Sequence, residues 1–208
     1  MIPFPDKKYQ VIYADPPWSY SKGVHQDFRK SHNGEDRLIS EQYQTMKKKD
    51  LLKLNVKNLA SDDCALFMWF TYSHLSEALG LCKEWGFKYK TIAFVWLKRS
   101  NKGNVLCNVG AWTLGSTEAC LIATRGNMLK YKECNNIRQL VDPNTDIRLK
   151  GKSHSKKPSE VRERINLLFP NTEKIELFAR QSTPGWDVWG NEVEQDQEQA
   201  EKIIGNRA

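Results

Sequence analysis

The sequence predicts an α/β fold with a mostly parallel sheet, and three observations carry that expectation. Apolar runs of strand length recur along the chain, beginning at Tyr9 and again over residues 64–71, 90–98, 116–125 and 174–178. Segments with helical spacing of apolar residues fall between them, at 47–60, 73–85 and 158–169. The last of these helices runs almost directly into a strand, the order of a crossover that lays two strands parallel.

The first strand contains the β-branched pair Val11 and Ile12 and cannot pass Asp15, because Pro16 and Pro17 each lack an N–H and restrict the residue before them. The chain therefore leaves the sheet at Asp15 in a stiff turn. A carboxylate, two free carbonyls and the indole of Trp18 are expected together at a strand's carboxyl end, where open α/β sheets place their chemistry.

Residues 19–40 are polar and without period, and read as a long loop that is either functional or unstructured. Over 47–60, Leu51, Leu52, Leu54, Val56 and Leu59 fall on one side of a helix whose other side is lysine. Residues 64–71 (CALFMWFT) form a buried strand, and 73–85 a helix with Ser73 as its N-cap and Gly86 as its stop. Residues 90–98 (KTIAFVWLK) are the next strand. Trp96 and Lys98 there read either as a core tryptophan with a snorkelling lysine or as groups facing a ligand.

A Gly/Asn-rich loop at 100–115 leads to the strand 116–125, with Glu118 near the start of its apolar run, where a charge needs a partner. Residues 127–151 are poorly patterned apart from a short strand near 139–142. Arg148, Lys150, Lys152, Lys156 and Lys157 then crowd together, either as a phosphate-contacting loop or as a solvated surface. Pro158 suits a helix's first turn, with Ser155 as cap. Val161, Ile165, Leu168 and Phe169 make the apolar stripe, and Pro170 ends the helix.

At 208 residues one well-buried domain is expected, covering 1–193, with an acidic tail at 194–208. No apolar run is long enough to cross a bilayer and the first ten residues lack a signal-peptide core, so the cytoplasm is the expected compartment. Five widely spaced cysteines without a C-x-x-C pair read as reduced thiols, and four histidines without ligand spacing imply no metal. The formal net charge is +7 although the last stretch, from Glu192, is acidic. A basic body of this kind fits a polyanionic partner.

The tetrad Asp15-Pro16-Pro17-Trp18, with SHSKKPSEVRERINLLFP, KIELFAR and PGWDVWGNE near the C-terminus, resembles the MT-A70 family of adenine N6-methyltransferases. The resemblance implies a Rossmann-like methyltransferase fold, a three-layer sandwich in circularly permuted (β-type) order, with the catalytic motif first and the cofactor strand last. It implies Asp15, Pro16, Pro17 and Trp18 as the catalytic motif. It also implies S-adenosyl-L-methionine, held by Asp15, Lys157, Phe178, Arg180, Asn191 and Glu192, and a base pocket drawn from Trp18, Tyr43, Trp96, Lys98 and Glu118. The chemistry suits the residues, since a weakly nucleophilic amine needs acceptors that hold its hydrogens, and Asp15 and the Pro16 carbonyl supply two.

Ala179 and Arg180 stand where other methyltransferases have a Gly-rich turn, and the chain has no G-x-G-x-x-G. The expected substrate is nucleic acid, DNA ahead of RNA, in a bacterial or phage-infected cell. An inactive nucleic-acid-binding partner subunit is the alternative, and a homodimer or a partner subunit stays open.

Overall fold

A computed structural model describes residues 3–19, 45–100, 102–110, 112–144, 157–191 and 193. Period-two alternation along the strands decides the layers. In β1 (Tyr9–Ala14) Ile12 and Ala14 enter one apolar cluster, while Val11 and Tyr13 enter a second on the other face. In β2 (Ala60–Phe70) Leu66 and Met68 follow the first pair, and Phe67 and Trp69 the second. Both faces must therefore be covered. Helices α1 (Lys48–Lys53) and α2 (Leu75–Glu84) cover the first through Leu51, Ala78 and Leu81, and α3 (Ser159–Leu168) covers the second through Val161 and Ile165. The result is three layers.

The remaining strands are β3 (Lys88–Leu97), β4 (Thr117–Arg125), β5 (Leu140–Val141), β6 (Lys174–Leu177) and β7 (Asp187–Trp189), in the sheet order β5-β3-β4-β2-β1-β6-β7. Among the strands of the described residues, only β4 runs against its neighbours, β2 and β3; the other strand pairings are parallel. Six strands thus end at one edge of the sheet, and β4 begins there.

Two elements differ from expectation. The helix predicted over 47–60 stops at Lys53: Leu54 is extended (φ −66, ψ 121) and a 3-10 turn, Val56–Asn58, follows. Leu54 and Val56 would stand on opposite sides of a continuous helix at 3.6 residues per turn, and breaking it lets Leu51, Leu54, Val56 and Leu59 all be buried. β2 also begins at Ala60 rather than Cys64. The pairing with β1 jumps from Tyr9↔Ala60 to Val11↔Ala65, so the charged pair Asp62 and Asp63 lies in an irregularity that the apolar pattern did not reveal.

Elsewhere Gly86 closes α2 with φ +83, as its position predicts. Pro158 occupies the N-cap position rather than the first turn, and Ser155 lies outside the described residues. Arg162 of α3 bonds both carboxylate oxygens of Glu176 in β6, at 2.7 and 2.9 Å, with its guanidinium 5.6 Å from the Tyr13 ring centroid. That buried bidentate pair fixes α3 against the sheet.

Candidate active site

The residues singled out by sequence gather at the edge where the parallel strands end. Asp15 follows β1, Phe178 to Arg180 follow β6, Asn191 lies just beyond β7, Lys98 follows β3, and Glu118 is the second residue of the reversed strand β4. Ala14 and Leu177 are register partners, so Asp15 and Phe178 leave adjacent strands at the same level. Two segments about 160 residues apart in sequence therefore share one edge.

At β1's exit the prolines do what their chemistry dictates. The Trp18 N–H donates to the Pro16 carbonyl (2.8 Å) across Pro17, and the Met46 N–H donates to the Pro17 carbonyl (2.9 Å). The two carbonyls expected to be free are thus each engaged, one by the turn's own Trp18 N–H and the other by Met46 from the segment before α1. Each keeps a second lone pair. The Trp18 indole N–H donates to the Trp69 carbonyl (3.0 Å), and the Trp18 ring stacks on His74, with centroids 5.4 Å apart and planes 24° from parallel.

Beside this turn four charges alternate in sign. Lys157 Nζ bonds both oxygens of Asp15, at 2.9 and 2.8 Å, and lies 3.3 Å from Glu118 Oε2, while Glu118 Oε1 takes Lys98 Nζ. Their side chains are mostly shielded, Asp15 at 28% exposure and the other three at 15–17%. Burial opposes charge on Glu118, yet the ammonium groups of Lys157 and Lys98 outweigh it and hold its carboxyl below the ordinary range. Burial likewise works against the Lys157 ammonium, and the Asp15 and Glu118 carboxylates overturn that and raise it.

Trp96 packs within the core, as one of its two readings expects. It is 8% exposed, edge-on to Trp69 at 6.4 Å, with the Lys98 ammonium 5.3 Å from its ring centroid. Its position inside β3, one residue before the exit, turns it into the α3 face of the sheet. Among the described residues its indole nitrogen has no hydrogen-bond partner. Tyr43 and Glu192 lie outside the described residues.

The turn after β6 solves a backbone problem without glycine. Phe178 adopts φ +61, a left-handed conformation that costs a side-chain-bearing residue about 1–2 kcal/mol. Gly190 takes the close contact instead: a Cβ there would meet the Ala179 carbonyl oxygen at 2.2 Å and its nitrogen at 2.7 Å. Arg180 and Asn191 are exposed on either side of this crossing. A depression of about 540 Å³ lined by Phe4, Lys7, Lys8 and Asn58 lies near the start of β1; none of Asp15, Lys98, Glu118 and Lys157 lines it.

Sequence reasoning did not single out Trp69, whose carbonyl holds Trp18 and whose ring lies 5.5 Å from Lys157 Nζ. It also passed over His74. Trp69 looks like any residue of an apolar run, whereas His74, four positions past the end of β2, was open to detection as a polar group at a strand's carboxyl end.

Fold and edge together are those of an α/β, Rossmann-like methyltransferase, permuted so that the strand bearing the D-P-P-W turn comes first in the chain and its neighbour β6 near the end. The sequence profile of the MT-A70 family matches residues 9–192, and the chain belongs to that family. It is 40% identical over 197 residues to the Type II methyltransferase M.MunI of Mycoplasma sp, covering 91% of this chain and 79% of that protein. It is 27% identical over 191 residues to the N(6)-adenosine-methyltransferase catalytic subunit METTL3 of Homo sapiens, and 27% over 192 residues to the N(6)-adenosine-methyltransferase MT-A70-like protein of Drosophila melanogaster. Those two matches cover 90% of this chain but only 28% and 27% of the relatives.

Proposed function

We propose that the chain transfers a methyl group from S-adenosyl-L-methionine to the N6 amine of adenine in DNA. The observation that carries this is the Ala14↔Leu177 register, which sets the Asp15 carboxylate beside the Phe178 turn with Lys157 bound to it. The likeness to a type II methyltransferase over most of both chains supports DNA. RNA is the second reading, favoured by the N(6)-adenosine-methyltransferases, whose similarity is lower and confined to under a third of their length.

The residues present fit the donor. Asp15 and Lys157 offer a carboxylate and an ammonium to a zwitterionic amino-acid end, Gly190 leaves the Ala179 backbone uncovered, and Arg180 and Asn191 offer exposed polar groups suited to ribose hydroxyls. Phe178 lines the same turn, and Glu192 belongs to the proposed set by its place in the motif. S-adenosyl-L-methionine, when bound, supplies an electrophilic methyl group on a sulfonium.

The chain's own residues then act on the amine. Asp15 accepts one of its hydrogens and offsets the positive charge that grows on nitrogen, and the second lone pair of the Pro16 carbonyl accepts the other. Pro17 fixes the path between them, and Trp18 gives the base a stacking face. Lys157 keeps Asp15 aimed, Glu118 holds Lys157 and is itself held by Lys98, and Tyr43 is proposed to close the pocket. Trp96 is assigned a packing role beneath Lys98. No general base is needed, since the amine sheds its proton once it has become cationic.

Residues 1–193 are taken as one catalytic domain, with 194–208 as its acidic tail, working in the cytoplasm of a bacterial or phage-infected cell. Target choice falls to the loops at 19–45, 99–116 and 126–156 or to a partner. The test is base-resolution mapping of methylated adenines after DNA and RNA are offered together. N6-methyladenine confined to DNA supports the proposal; methylation of RNA alone, or of neither, rejects it.

A further inference from the structure

We propose that His74 is the positioning residue of the D-P-P-W turn: its imidazole covers one face of Trp18 and ties down the backbone at Ser19, so an incoming adenine has only the opposite face of Trp18 to stack on. Its effect on transfer rests on the adenine-methyltransferase reading; its placement does not.

The exit of β2 grips the exit of β1 at three points. The Trp69 carbonyl takes the Trp18 indole N–H at 3.0 Å, the His74 ring lies on the Trp18 ring at 5.4 Å, and His74 Nε2 is 3.3 Å from the Ser19 carbonyl oxygen. A carbonyl only accepts, so Nε2 carries the proton. In the neutral ring Nδ1 is then an acceptor, and the Thr71 hydroxyl at 2.8 Å is its donor, with the Ser73 hydroxyl at 3.3 Å alongside.

The ring is thereby fixed in orientation. His74 closes the 3-10 turn Tyr72–His74 before α2, and its own N–H bonds the Thr71 carbonyl at 2.8 Å, so it is carried on a rigid junction. It is 9% exposed. Two prolines separate Asp15 from Trp18, and their fixed φ leaves little slack between the clamped indole and the carboxylate. A displacement of about 1 Å at reacting groups costs on the order of a hundredfold in rate.

Three variants separate the parts of this role. His74→Ala removes ring and hydrogen bonds, His74→Phe restores the stacked ring alone, and His74→Gln restores a donor alone. For His74→Ala we expect kcat for methyl transfer to DNA to fall about ten- to a hundredfold, with S-adenosyl-L-methionine affinity and melting temperature close to wild type. His74→Phe should regain most of that loss and His74→Gln little of it. A His74→Ala enzyme within about twofold of wild type overturns the proposal, as does one that loses cofactor affinity or folding in step with rate while His74→Phe rescues nothing.

A second readout needs no activity. In nitrogen-15 and carbon-13 histidine spectra of the full chain, the His74 ring should report the Nε2–H tautomer, with ring protons shifted upfield by Trp18 and released in Trp18→Ala. Unshifted signals indifferent to Trp18→Ala overturn the proposal. A wild-type chain that methylates no adenine but shows the shifted ring defeats the functional reading and leaves the clamp standing.

Discussion

Lys157 Nζ sits 2.9 and 2.8 Å from the two carboxylate oxygens of Asp15, joining residues 142 positions apart in sequence. It also reaches Glu118 at 3.3 Å, so one ammonium stands between two carboxylates. Replacing it with methionine leaves Asp15 and Glu118 with Lys98 as the remaining cation of the cluster. We expect Lys157→Met to cost about 2 kcal/mol of stability, less than a fully buried pair would lose because each group keeps some contact with water. Adding Glu118→Gln should return part of that loss, since it removes the uncompensated charge. Urea denaturation of the two single variants and the double measures the coupling.

The turn after β6 yields a comparison in which the ring cancels. Phe178→Ala and Phe178→Gly both lose the edge contact with Trp189 (5.5 Å), but only glycine relieves the left-handed φ of +61. The glycine variant should be the more stable of the two by about 1 kcal/mol. Gly190→Ala should lower both melting temperature and cofactor affinity, because its methyl meets backbone rather than a movable side chain. Thermal melts with and without S-adenosyl-L-methionine report both effects.

The pH dependence follows from carboxyls held low. Glu118 is held down by Lys157 and Lys98 against the opposing effect of burial, Asp142 by its hydrogen bonds from Arg99, and Asp187 by its bond from Lys7. A folded value below the unfolded one gives stability that is present above the unfolded pKa and lost as pH falls through the folded one. Lys157 is raised, so its contribution is full below about pH 10 and lost above its folded value. Melting temperature should therefore be nearly flat between about pH 5 and 8 and fall below about pH 4.5; above about pH 8.5 it should fall again, because the unfolded chain can ionise the thiols of Cys64, Cys82 and Cys120, which burial holds protonated in the fold. Glu118→Gln should make the acid limb shallower; a steep loss between pH 5 and 8 would contradict the assignment.

Much of this was legible in the sequence where one local rule dominated. Two prolines after a β-branched run located the end of β1, Gly86 the end of α2, and the stripe Val161 and Ile165 the face of α3. Where tertiary contacts overrode pattern, the reading failed. Leu54 broke the predicted helix because both it and Val56 are buried, and β2 ran on through Asp62 and Asp63, which the apolar pattern excluded. The short strand β7 had no pattern of its own and exists through its pairing with β6. At the site, Asp15, Lys157, Glu118 and Lys98 were each named in advance, but their alternating contact was not, because it depends on β4 running backwards between β2 and β3.

The most direct test follows a labelled methyl group from S-adenosyl-L-methionine to adenine N6 in DNA, using wild type and Asp15→Ala at saturating donor. The wild type should label N6, and Asp15→Ala should lose about a hundredfold or more of the rate while still folding, with a loss of stability no larger than that of Lys157→Met. An Asp15→Ala enzyme within a few-fold of wild type, or label on any atom other than N6, would contradict the assignment of Asp15 as the group that holds the amine.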